Sequence, residues 1–170
     1  MFEGAVLGVD PGLAVTGLAA VRSGGGGPQV LWSGTLRTPS DLAESLRLRR
    51  VYGAVREAIS EHGVAAVAVE RVMWGRNVGS ALTVARATGV ILLAAADAGV
   101  PVEEYAPLEV KMAVTGVGNA GKDQVRRALA MTHGLSGVPA QADAADAVAV
   151  ALCHVTQSKM RQLVRGSARA

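Results

Sequence analysis

The change of pattern at Ser40 constrains this chain more than any other feature. Before it, three apolar runs at 4–9, 15–21 and 29–37 are separated only by turn signals: Asp10-Pro11-Gly12, and a glycine-rich stretch at 24–28 that reads as neither strand nor helix. Short strands joined by short turns pair antiparallel. After Ser40 the apolar spacing lengthens. Ser40 and Asp41 read as a helix cap, and Leu42, Leu46, Val55, Ala58 and Ile59 carry a helix to about Glu61. The run at 64–69 is apolar throughout, which places it inside a sheet with both faces covered. Helix at 80–98, strand at 100–105, two short helices at 108–114 and 122–132, and a last helix at 141–155 complete the pattern. The expected fold is α/β: a five-stranded mixed sheet, three antiparallel strands and then alternating helix and strand, flanked by helices.

Half of the 170 residues are hydrophobic, enough for one packed domain over 1–156. The stretch 157–170 reads as a basic tail, loosely ordered. No acidic side chain follows Asp146, whereas Lys159, Arg161, Arg165 and Arg169 do, which suits a polyanionic partner. No apolar run reaches the ~18 residues of a membrane span. The first residues lack the features of a secretory signal. Cys153 is the only cysteine, so neither a disulfide framework nor a cysteine zinc cluster is expected, and a reducing, cytoplasmic setting follows.

By fold-level analogy this layout is ribonuclease-H-like. Asp10 ends the first strand and Glu70 the fourth, so parallel neighbours would bring both to one sheet edge. Asp143 and Asp146, three apart, share one face of the last helix. Gathered carboxylates repel, by about 4 kcal/mol per pair at ~4 Å and an effective dielectric of 20. Divalent cations reverse that term. Two Mg²⁺ ions ~4 Å apart can activate a water and stabilise the leaving oxygen at phosphorus. Each residue also has a plainer reading. Asp10 could be a turn former, Asp143 and Asp146 charges in a helix's first turn, and Glu70 a surface partner of Arg71 or Arg76.

The stretch 116–122 matches the dinucleotide glycine pattern and most of a phosphate-binding loop. Asp123 stands where that loop needs Ser or Thr, and no strand precedes it, so it reads as a glycine turn presenting Lys122. Asp10, Gly12 and Gly17 resemble the first phosphate loop of actin-like ATPases, a fold that needs two such domains. The three histidines have no zinc-like spacing.

Gly8-Val9-Asp10-Pro11-Gly12, Val69-Glu70-Arg71-Val72, Asn77 with Ser80-Ala81-Leu82, Pro107-Leu108-Glu109-Val110-Lys111, and the run from Gln141 to Ala147 together resemble the RuvC family of Holliday junction resolvases. The resemblance spans about 4–156. It implies a homodimeric endonuclease that binds four-way junction DNA and nicks two strands symmetrically, leaving 5′-phosphate ends. It implies Asp10, Glu70, Asp143 and Asp146 as catalytic ligands of two Mg²⁺ ions per subunit, with Mn²⁺ also active. Lys111 and Lys122 match basic positions at the scissile strand, and the RuvA and RuvB branch-migration proteins are implied partners. Read from the residues themselves, Arg71 and Arg76 could track the DNA backbone or be ordinary solvated charges, and Asn77 could contact DNA or cap the helix that follows. Where the family usually has an aromatic that stacks on a base, this chain has Met73 followed by Trp74, so stacking is assigned to Trp74, the plainer reading being that Trp74 is buried or covers a dimer interface. The apolar helix at 80–98 suits a twofold interface as well as a core. Competing readings are an inactive junction binder, an actin-like nucleotide binder and an RNA–DNA hybrid nuclease.

Overall fold

The computed structural model describes residues 4–24, 26–73, 78–135 and 137–167, with side chains described as far as Ser158. Five strands, β1 (Ala5–Asp10), β2 (Val15–Gly24), β3 (Gly27–Arg37), β4 (Val64–Glu70) and β5 (Val102–Tyr105), form one sheet in the order β3-β2-β1-β4-β5. β1 pairs antiparallel with β2, and β2 with β3. β1 and β4, then β4 and β5, are parallel. The expected mixed sheet is the observed one, and the all-apolar fourth strand is interior.

The helices are α1 (Glu44–Glu61), α2 (Val78–Asp97), α3 (Pro107–Thr115), α4 (Lys122–Met131) and α5 (Ala142–Ser167). Alternation along β1 divides the core. Ala5, Leu7 and Val9 pack with Val51, Val55, Ile91 and Ala94 of α1 and α2, while Val6 joins Val148, Leu152, Val110 and Leu129 of α5, α3 and α4. At ~25 cal/mol per Å² of apolar surface, each such buried Val or Leu contributes about 1.5–3 kcal/mol.

Three local expectations are corrected. Ser40 and Asp41 do not cap α1. They occupy a turn closed by the Leu42 N–H donating to the Pro39 carbonyl, and α1 begins at Glu44 after Ala43, which offers no side-chain cap. The glycine-rich turn is shorter than expected, because Ser23 pairs with Pro28 and Gly24 with Gly27. Proline is tolerated there because β3 is an edge strand and its outward side needs no donor. Finally, α5 continues to Ser167 instead of stopping near Val155.

α2 also departs from the reading that nothing here resembles a membrane span: by length and composition it could cross one. In the fold it packs on α1, where Arg86 donates to Glu44 at 2.8 Å, and it buries Ala87, Ile91, Ala94 and Ala95 in the core.

Candidate active site

The register of the central strands builds the site. Val9 pairs with Val69 in the parallel β1–β4 ladder, so the next residues, Asp10 and Glu70, emerge side by side at its carboxyl end. Tyr105, paired with Glu70, ends β5 at the same level. Its hydroxyl lies 2.9 Å from Nδ1 of His154, a buried contact that ties this edge to α5.

α5 reaches the edge because two strand residues lack a side chain. A Cβ on Gly17 would overlap the carbonyl oxygen of Asp143, and one on Gly8 would overlap the carbonyl oxygen of Ala147. The helix backbone thus lies directly on β1 and β2, with Asp143 and Asp146 in its first turns. Neither glycine was singled out for this role from sequence; their signal was glycine inside an apolar strand, which marks close backbone approach.

The loop after Asp10 is clamped. The Thr38 N–H donates to the Ala14 carbonyl and its hydroxyl to that of Leu13, while the Arg47 Nε–H donates to the Thr38 oxygen at 2.8 Å. Sequence reasoning missed this chain, whose members come from three separate segments.

Asp10, Glu70, Asp146, Lys111 and Lys122 line one cavity of about 180 Å³. Burial above all, then the charges of Glu70, Asp146 and Asp143, raise the Asp10 carboxyl from 3.8 to about 7, against the pull of Lys122. Glu70 is raised mainly by burial and then by Asp146, with Lys122 and Lys111 opposing. The Lys122 ammonium bonds Oδ2 of Asp146 at 2.8 Å. As they stand, no three His, Cys, Asp or Glu side chains among the described residues are arranged to hold a metal ion. The chemistry of the donors nevertheless fits a hard divalent cation: all are carboxylate oxygens, partly buried and short of positive charge. Among the described residues, no Ser, Thr or Cys side chain lines this cavity.

A second, wider cavity opens from Asp10 and Glu70 along Met73, Ser80, Val84 and Pro107. Met73 is exposed at its mouth. Arg71 donates to the Glu104 carbonyl at 3.3 Å. Trp74, Arg76 and Asn77 lie outside the described residues. The 116–122 stretch is a turn between helices, with Gly116 in the left-handed region at φ 72° closing α3 and Gly121 preceding Lys122 at the start of α4.

A family model described as "Crossover junction endodeoxyribonuclease RuvC" matches residues 6–154. A protein of that name from Syntrophomonas wolfei is 44% identical over 163 residues, covering 96% of this chain and 95% of the relative. The T. thermophilus RuvC structure in complex with Holliday junction substrate superimposes with a TM-score of 0.85 at 34% identity, over 93% of this chain and 96% of that one. The yeast mitochondrial Holliday junction resolvase Ydc2 shares the fold, with a TM-score of 0.72 at 12% identity, over 96% of this chain and 82% of its own.

Proposed function

The chain belongs to the RuvC family of crossover junction endodeoxyribonucleases, and on that premise we propose that it resolves four-way DNA junctions by nicking two strands of like polarity in recombination and repair. What supports this reading is the adjacent register of Asp10 and Glu70, with Asp146 lining the same cavity and Asp143 near enough for its charge to act on Asp10. These four carboxylates would hold two divalent cations, Mg²⁺ or Mn²⁺. Such ions, when bound, supply an activated water and offset charge on the leaving oxygen. Lys111 and Lys122 orient the scissile-strand phosphates, with Arg76 and Asn77 as further DNA contacts. Trp74 stacks on a base near the crossover, a contact worth about 1–3 kcal/mol. A reducing cytoplasmic setting and the RuvA and RuvB branch-migration proteins as partners complete the proposal.

One comparison tests it. Four-way junction, linear duplex and RNA–DNA hybrid are offered at equal salt, with Mg²⁺ and with EDTA. Cleavage confined to the junction and abolished by EDTA is expected. Equal cutting of duplex or hybrid, or cutting that survives EDTA, would refute it.

The active unit is a homodimer through α2. Val78, Leu82 and Leu93 are 64%, 45% and 54% exposed, and Gly89 between the two leucines faces open space. Leu82, Gly89 and Leu93 follow one face at helical spacing, so a second copy could approach closely across a twofold axis. Leu93→Glu is expected to halve the mass seen by light scattering at micromolar protein and to uncouple the paired nicks. A monomeric wild type, or a variant that stays dimeric, would remove this interface.

A further inference from the structure

Lys122 opens α4 immediately after Gly121, and its ammonium lies 2.8 Å from Oδ2 of Asp146. Its side chain is 74% exposed, whereas that of Asp146 is 25% exposed, so the lysine reaches in from solvent to a carboxylate set back in the cavity. Asp10 and Asp143 stand near enough for their charges to act on the same ammonium. One positive charge from outside therefore tempers a cluster of carboxylates.

We propose that Lys122 is an internal counter-cation that stands in for a divalent ion at Asp146, and that metal loading releases its ammonium to meet the substrate phosphate. The proposal rests on the reading that these carboxylates hold divalent cations. Its physical basis is exclusion. A dication bound at Asp146 and an ammonium hydrogen-bonded to the same carboxylate repel one another, so the two alternate there. The lysine can leave cheaply because its four-carbon stem is flexible and already exposed, and no backbone needs to move. On leaving, it becomes a free cation at the mouth of the cavity where a phosphate would arrive. Metal and DNA then assist each other, and by linkage the assistance is reciprocal. Lys111 lines the same cavity but is not the residue bonded to Asp146, so it serves as the comparison.

The test uses Mn²⁺ alone, without DNA, titrated calorimetrically into the full chain at low ionic strength. Lys122→Met is expected to bind Mn²⁺ about 3- to 10-fold more tightly than wild type, the range for loss of a partly exposed ion pair and its repulsion of the metal. Lys122→Arg, which keeps the charge and the bond, should stay within about twofold of wild type, as should Lys111→Met. A Lys122→Met protein that binds Mn²⁺ no more tightly than wild type overturns the proposal. Equal tightening by Lys111→Met also overturns it, since the effect would then be that of the general field. Asp146→Asn separates the underlying reading. If wild type binds no Mn²⁺, or Asp146→Asn binds it as well as wild type, the metal site itself is wrong and the proposal falls with it. If wild type binds and Asp146→Asn does not, the site stands whatever Lys122→Met shows.

Discussion

Asp10→Asn is expected to lower junction cleavage on the order of 10³-fold while leaving junction affinity within about twofold. The carboxylate is the innermost of the cluster, and the neutral amide is a poor ligand for a hard dication. Glu70→Gln, Asp143→Asn and Asp146→Asn should act in the same direction. The same substitution should raise stability. Asp10 keeps its proton to about pH 7 in the fold but only to about 3.8 as an ordinary carboxyl. The folded state therefore binds more protons between those values, and its stability falls as pH rises through that window. Asn carries no such charge. Without metal, the variant should unfold later than wild type at pH 8, by about 1–4 kcal/mol, and nearly together with it at pH 4 or below. Mn²⁺ should narrow the gap at pH 8 by stabilising only the wild type. Junction cleavage at the normal rate by the variant would end the proposed chemistry. A variant less stable than wild type at pH 8 would show that Asp10 is not held in a charge-averse cluster.

Gly17→Ala should cost both stability and rate. Gly17 pairs with Asp10 across the β1–β2 ladder, and the added Cβ would meet the Asp143 carbonyl. The obstructing atoms are backbone, so a side-chain rotation cannot relieve the overlap and α5 itself must shift. Overpacking of this kind costs about 1–3 kcal/mol and occasionally more. A displacement near 1 Å in the ligand-bearing turn costs about 10²-fold in rate. Gly8→Ala should behave similarly against Ala147 and Ala151. Gly53→Ala is the control: its Cβ meets nothing within 4 Å on α1, and removing a helical glycine should stabilise by about 0.5–1 kcal/mol. Urea melts and single-turnover rates on the same proteins decide the matter. Wild-type stability and rate in Gly17→Ala would mean that α5 does not depend on that close approach.

Much of the architecture was legible because it follows from short-range pattern. Strand runs without intervening helices before Ser40, and an all-apolar run after it, admit few sheets other than the observed one. The missed boundaries share one cause, tertiary context overriding local preference. Ser40 and Asp41 have the chemistry of a helix cap, yet Pro39 and the Thr38 clamp hold them in a turn. Pro28 reads as a breaker, yet an edge strand has room for it.

At the site, sequence by itself determined which carboxylates end strands and which two share a helix face, because both follow from periods of two and 3.6 residues. Only the tertiary structure decided that α5 lies on Gly8 and Gly17, that Thr38 and Arg47 hold the loop beyond Asp10, and that Lys122 bonds Asp146. Those contacts join segments distant in the chain. No local period encodes them; they arise from the packing of one helix against one sheet.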